Sequence, residues 1–454
     1  MREFWCRWKY PILMGIVAIA VFRLYLGYLF GGTEDQRCHI GLWNLVSQHR
    51  NLYTDSDILV WPPFWWIALG LWDSLWGMLV DTIPSVIGPM GPSLFLKLLY
   101  YIFEIFIALT LAAFIVRAES ENMPVNVKQQ RFMKVACIFL LIPATWVITS
   151  LHGNFDSIPT FFVILAFLLL EFESSETSAL FASALLGMAV MAKTFPAIFA
   201  FILLAHLFRR FRWATGAFAC ILCVAPSFLS LYPLYLMNPD VVVHRLSYQG
   251  IPGGWWGLGG LARLLVSDQL SEKAVKLSYL IFYFSMLLLT VWLCREIWKG
   301  RIRILYAGLV TAVGLFCFAP SISNQNFYFL IPWAFWCAVV LKQTTARIFL
   351  WFLCIDLVLI YIVLPLDLKN PTWFQWTYDF FQVSQQPPIP SPSWLVRALT
   401  WVTSVFKRDG LDYNPFIQLL LRMPLWGVLC FWFISLLRNR DSVTSTPPSL
   451  THRH

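Results

Sequence analysis

The chain reads as an all-α polytopic membrane protein, and three observations predict it. Of its 454 residues, 59% are hydrophobic and only 13% charged, with a mean hydropathy of +0.67. A soluble core cannot hide that much apolar surface, whereas a bundle of membrane helices exposes it to lipid. Apolar runs of helical length recur along the chain. The basic residues behind its net charge of +9 fall in short clusters between those runs, which argues against a nucleic-acid partner.

The apolar runs predict the spans in order: about 11–30, 94–116, 132–151, 157–170, 178–192, 194–208, 214–236, 277–294, 304–319, 327–341, 348–364 and 415–437. Several are shorter than the ~20 residues that cross a bilayer, so their ends are loosely defined. Arg2, Arg7 and Lys9 precede the first run and place the N-terminus in the cytoplasm. Alternate connections then carry Lys128 and Arg131; Arg209, Arg210 and Arg212; Arg295, Lys299, Arg301 and Arg303; Lys342 and Arg347; Arg438 and Arg440. Only the acidic turn at 171–177 departs from the positive-inside rule. About twelve spans with both termini inside satisfy it.

That parity requires the run 61–80 to stay out of the count. It opens Trp-Pro-Pro, carries Asp73 and is rich in Trp, which suits a juxtamembrane helix lying in the outer interface. A single domain over residues 1–440 is expected, followed by a disordered cytoplasmic tail at 441–454 in which Ser, Thr and Pro prevail. Of ten Cys, only Cys38 falls clearly outside, so no exterior disulfide is expected.

Candidate chemistry collects on the outward side. Glu34 and Asp35 follow the first run directly, in Gly31-Gly-Thr-Glu-Asp-Gln-Arg-Cys-His39. A carboxylate there could accept a hydroxyl proton as a general base, although spacing alone favours acidic residues that simply populate a wet exterior loop. Ser150-Leu-His-Gly-Asn-Phe-Asp-Ser-Ile-Pro159 places His152, Asn154 and Asp156 where two helices meet water. Either His152 or Asp156 could orient a substrate, and Asp156 also suits the cap of the next helix. Lys193, in the turn Lys193-Thr-Phe-Pro196, is a cation on the side that the positive-inside rule leaves poor in cations. It is placed to bind a lipid-linked phosphate or to snorkel. Deeper, Arg23, Glu104 and Asp356 should face the bundle interior, and Arg23 and Glu104, on neighbouring spans, could pair. His206 is expected to be satisfied inside. No Cys/His set has zinc-like spacing. Asp55-Ser-Asp57 reads as hydrated loop rather than as a metal pair.

Taken together, these segments resemble the GT-C class of integral membrane glycosyltransferases, and among them the polytopic mannosyltransferases related to the second GPI mannosyltransferase. The acidic pair is followed by Asn51-Leu-Tyr53 and Trp61-Pro-Pro63, similar to the class's N-x-Y and Y-P-P elements with Trp61 in place of Tyr. His152-Gly-Asn-Phe-Asp156 is similar to its G-Q-F-D turn, with Asn154 at the Gln position. Ala192-Lys-Thr-Phe-Pro196 resembles its K-x-x-P turn, Gly253-Gly-Trp-Trp-Gly-Leu258 its G-x-W-G segment, and Asn324-Gln-Asn-Phe-Tyr-Phe-Leu-Ile-Pro332 its late Q-Y span. The likeness covers residues from about 20 to 335.

The resemblance implies transfer of a hexose such as mannose, with inversion, from a polyprenyl-phosphate donor to a glycan, lipid or protein acceptor. Asp35 would be the base, with Glu34 its competitor. Tyr53, His152, Asn154, Asp156, Lys193, Trp255, Trp256 and Gln325 would line the substrate site, and neither metal nor other cofactor is called for. The site would face the periplasm or exterior from a bacterial plasma membrane, or the lumen from a eukaryotic ER membrane. The rival readings are a transporter, or a flippase or polymerase of lipid-linked glycans. A transporter built from repeats should show internal symmetry, and the sequence has none.

The topology has a direct check. A membrane-impermeant thiol reagent added from outside should label Trp255→Cys and spare Phe211→Cys; the reverse pattern would invert the assignment.

Overall fold

The computed structural model describes residues 14–15, 17–23, 34–49, 64–82, 91–119, 123–240, 242–243, 256–265, 268–320, 324–359 and 415–439. Helix dominates these residues, and no strand occurs among them. After a first helical stretch at 17–23 come α1 (Glu34–Ser47), α2 (Phe64–Thr82), α3 (Gly91–Glu119), α4 (Val125–Leu140) and the short α5 (Pro143–Trp146). A π-helical turn, Val147–His152, leads towards α6 (Ser157–Phe172) and α7 (Glu176–Ala192). A 3-10 turn, Phe195–Ala197, opens α8 (Ile198–Arg210), followed by α9 (Trp213–Met237), α10 (Gly257–Leu265), α11 (Asp268–Trp298) and α12 (Ile304–Phe318). A second 3-10 turn, Asn324–Leu330, precedes α13 (Ile331–Val339), α14 (Thr344–Val358) and α15 (Pro415–Arg438).

Apolar residues all round α12 explain its place. A helix without a polar face must be covered by protein or by lipid, and α12 is covered by protein along nearly its whole length, by α8, α11, α15 and α6. By contrast, α9 and α11 leave most of their apolar surface uncovered: Ile221, Val224, Leu229, Leu280, Phe284 and Leu287 are all exposed. Trp213 opens α9 at 77% exposure, and the exposed Tyr232 and Tyr235 lie roughly 30 Å further along at ~1.5 Å per residue. Aromatic rings separated by the ~30 Å of a hydrocarbon core mark the two interfaces of a membrane helix.

Among the described residues, three helices are long and apolar enough to cross a bilayer, Leu94–Glu119, Trp213–Tyr232 and Lys273–Trp298. The pair Val125–Leu140 and Pro143–Ser150 makes a fourth if its 54° bend is read as one broken span. Ser157–Phe172, Glu176–Ala192, Ile304–Phe318 and Asn326–Val339 are shorter apolar helices. The α2 helix, at 19 residues, is not among the candidates.

Several helices depart from the expected runs. The run 132–151 is broken, because Pro143 has no N–H to donate and its ring would clash with the carbonyl four residues back; it starts α5 afresh at the first helical position. The run 327–341 begins as a 3-10 turn and becomes α-helical only at Ile331. The α11 helix starts at Asp268, earlier than the run at 277–294. Most of the first span, residues 360–414 and the tail 441–454 lie outside the described residues.

One helix connects two polar ends. At the C-terminal end of α6, Glu171 pairs with Arg303 and accepts the Leu305 N–H at 3.2 Å, and Glu173 pairs with Arg117. Arg117 also donates to the Phe172 carbonyl at 2.9 Å, and Arg131 makes a two-pronged contact with Glu119 at 2.7 and 2.8 Å. The acidic turn that departed from the charge rule therefore sits among the arginines of this end and is partly neutralised by them. Asp156 lies at the opposite end of α6.

Between α7 and α9 the contact is made by small residues. Ser183 and Gly187 are one turn apart, and a Cβ on Gly187 would stand 2.5 Å from the Leu222 carbonyl oxygen and 3.0 Å from that of Cys223. Such spacing lets two backbones approach closely where lipid supplies no hydrophobic drive. Gly187→Ala should destabilise the fold by ~1–3 kcal/mol through overpacking. Thermal unfolding in detergent checks it, and an unchanged midpoint would refute the close contact.

Candidate functional site

The site is built where α6 begins and α7 ends. The π turn closes at Gly153, whose φ of 72° is open to glycine without strain. Past it, the Asn154 N–H donates to the Ile148 carbonyl at 3.3 Å, and Asn154 Oδ1 accepts the Asp156 N–H at 3.0 Å. Asp156 thus stands at the cap position of α6, but its side chain makes no capping bond. Its Oδ1 instead meets Lys193 Nζ at 2.5 Å. The cap expected from the sequence gives way to an ion pair.

Lys193 is delivered by the end of α7. Its backbone turns extended (φ −155°, ψ 139°) while its N–H still donates to Ala189, so the side chain leaves the helix axis at the turn. Nζ reaches Asn326 Oδ1 at 2.8 Å as well as Asp156, and it lies 5.3 and 5.6 Å from the rings of Phe155 and Phe195. The Lys193 side chain retains 15% exposure and that of Asp156 none. Two acceptors and two aromatic faces hold this ammonium at the edge of the bundle.

A polar stripe on α3 extends the site. Lys97, Tyr100, Tyr101 and Glu104 recur at helical spacing and are all buried. Tyr100 Oη lies 2.9 Å from Nδ1 of the buried His39 on α1, and the Tyr100 carbonyl accepts from Ser157 Oγ at 3.0 Å. The His39 ring stands edge-on to Phe155 at 5.4 Å. Behind this layer α1 is fixed to α2 by Asp73, which accepts from Trp43 Nε1 at 2.7 Å and Ser47 Oγ at 2.6 Å. Further along α3, Arg23 and Glu104 do pair, at 2.6 Å.

His152, Asn154, Asp156 and Lys193 are thus brought together at one end of the bundle, and His152 and Asn154 are buried there. Glu34 and Asp35 form the first turn of α1, which carries His39, but their side chains lie outside the described residues, as do Tyr53, Trp255, Asp55, Asp57 and the side chain of Gln325. Trp256 is buried, packs against Phe327 at 4.8 Å and donates Nε1–H to the Phe316 carbonyl at 2.7 Å. Its one polar group is committed to tying α10 to α12. His206, expected to be satisfied, has a buried Nε2 with no hydrogen-bond partner among the described residues. Among the same residues no group of His, Cys, Asp and Glu is arranged to hold a metal ion.

Lys97, Tyr100 and Asn326 are additions that the sequence reading missed. Lys97 sits within an apolar run, where averaging over the window hides one charge; the spacing 97–100–104 was the available signal. Asn326 stands next to Gln325 in a segment whose 3-10 geometry sets which side chain faces Lys193.

No protein-family model matches the chain, and no curated protein matches it.

If Lys193 and Asp156 compensate each other, removing either should cost about 3–5 kcal/mol and removing both should cost much less than the sum. A double-mutant cycle of Asp156→Asn and Lys193→Met, read by thermal unfolding, checks it. Additive losses would mean that the pair is not coupled.

Proposed function

We propose that the protein is a membrane glycosyltransferase that moves a hexose from a polyprenyl-phosphate donor to an acceptor hydroxyl. The observation that carries this reading is the meeting of three segments at one ammonium. Lys193, Asp156 and Asn326 come from the turns that resemble the K-x-x-P, G-Q-F-D and Q-Y elements of the GT-C class, and they bond across wide sequence separations. The site lies at the end of α6 opposite the arginine-rich one. With that end in the cytoplasm, the site faces outward, and about twelve spans with α2 lying in the outer interface complete the topology. The uncovered apolar residues Ile67, Leu71, Leu75 and Met78 on α2 suit that placement.

In this reading the acceptor hydroxyl gives its proton to the Asp35 carboxylate and attacks the anomeric carbon from the face opposite the lipid phosphate. The bond from that carbon to the phosphate oxygen breaks, and the electron pair leaves with the phosphate. An inverted glycoside results. Position 35 lies one helical turn before His39, the residue through which α1 meets Tyr100; position 34 does not share that spacing. Lys193 has three ammonium protons, of which Asp156 and Asn326 take two. The third is available to the phosphate as negative charge builds on it. His152 sits in the same turn as Asp156 and is a second candidate for contact with donor oxygens.

A transporter should carry its polar groups near mid-depth. The Arg23–Glu104 pair, about 10 Å deeper than Lys97 along α3 at ~1.5 Å per residue, is closed by mutual pairing. The weight of polar side chains is at the end of the bundle.

Purified protein should transfer label from polyprenyl-phosphate mannose to an acceptor. Asp35→Asn should lower kcat by ~10²–10⁴-fold while leaving donor binding largely intact. If Asp35→Asn stays active and Glu34→Gln is dead, the base is Glu34; if both stay active, the transferase reading falls.

A further inference from the structure

We propose that the buried cluster of Arg23, Glu104 and Tyr101 is a positioning device that holds the π-helical turn Val147–His152 in register, and through it the site turn that begins at His152. This rests on the proposed function only for its consequence for transfer.

Each group of the cluster reaches the segment running through the turn at a different point. Arg23 Nη2 donates to Thr145 Oγ1 at 2.5 Å. Thr149 Oγ1 lies 3.0 Å from Glu104 Oε2 and 2.8 Å from the Thr145 carbonyl, sharing its one proton between two acceptors. Tyr101 Oη lies 2.6 Å from Ser150 Oγ and donates to the Arg23 carbonyl at 2.8 Å, which ties the first helix to α3. Arg23 is also flanked by the rings of Tyr101 and Trp146 at 5.9 and 5.8 Å. Thr145, Thr149 and Ser150 are fully buried.

A π turn is a wide, rare conformation that inserts a residue relative to the α-helix and so rotates everything after it. Relaxation of Val147–His152 to α geometry would swing His152 away and displace Asn154, whose N–H bonds back to Ile148. Asp156 would then lose its register with Lys193. Three side-chain contacts at 145, 149 and 150 oppose that relaxation, and all three come from one ion-paired cluster. A pair serving only to neutralise two buried charges would have no need of contacts spaced along the turn.

The two roles separate in experiment. Replacing a buried ion pair by apolar residues of similar volume often leaves stability unchanged or improved, so Arg23→Met/Glu104→Met keeps the fold while removing the contacts to Thr145 and Thr149. Tyr101→Phe removes only the hydroxyl that meets Ser150 and is the mildest variant. Amide hydrogen exchange would be followed in the full chain in lipid nanodiscs. The positioning role predicts exchange over residues 148–154 faster by about tenfold or more in both variants, with α7 and α12 unchanged. Wild-type exchange across that turn in Tyr101→Phe, or acceleration spread evenly over the bundle, overturns it. Because exchange reads the turn whether or not sugar is transferred, failure here is distinct from failure of the transferase reading. With that reading intact, Tyr101→Phe should also lower kcat several-fold.

Discussion

Everything at the site follows from the cost of holding an ammonium at the edge of an apolar bundle. Taking a lysine and a carboxylate out of water costs several kcal/mol for each ion, and only short, well-aimed partners recover it. Lys193 meets that demand with Asp156, Asn326 and two aromatic faces. To supply them the chain must bring together the end of α7, the start of α6 and the 3-10 turn before α13. The ion pair therefore fixes where three helices end as much as it fixes a charge. It also sets a limit on chemistry, because an ammonium already matched to a carboxylate offers a bound anion a single N–H in place of a free cation.

The same logic orders the molecule along its length. Ionic side chains gather at the two ends of α6, and between them α12 and the inner faces of α3 and α7 are apolar or tightly paired. The exposed face of α9 is apolar between its aromatic ends, and the middle of α11 exposes mainly apolar side chains, as hydrocarbon requires. Arg23 and Glu104 form a buried ion pair of the interior. Their contacts to Thr145 and Thr149 turn that pairing into control over a neighbouring turn.

Much of this was legible in the sequence, and what was not has physical causes. The ends of α6, α7 and α12 lie within a few residues of the expected runs, because caps, charges and apolar content agree there. Arg23 and Glu104 were recognisable as partners because isolated charges inside adjacent apolar runs have few alternatives. The break at Pro143 was written in the sequence but overridden by the apolar run around it. The π turn left no sign, since its extra residue changes backbone pairing without changing composition. Lys97 was masked by its neighbours, and Asp156 looked like a cap because sequence shows the position but not the distant lysine that claims its carboxylate. Among the described residues three or four helices are long enough to cross a bilayer, and α6, α7 and α12, each expected as a span, are shorter apolar helices.

The account depends on Lys193 being where a lipid phosphate docks, and a structure of the full chain in nanodiscs with a polyprenyl-phosphate sugar tests it most directly. The account predicts a phosphate oxygen at ~2.7–2.9 Å from Lys193 Nζ, with Asp156 and Asn326 still in place on its other side. A phosphate bound at the arginine-rich end of α6, or one that leaves Lys193 untouched, would contradict it.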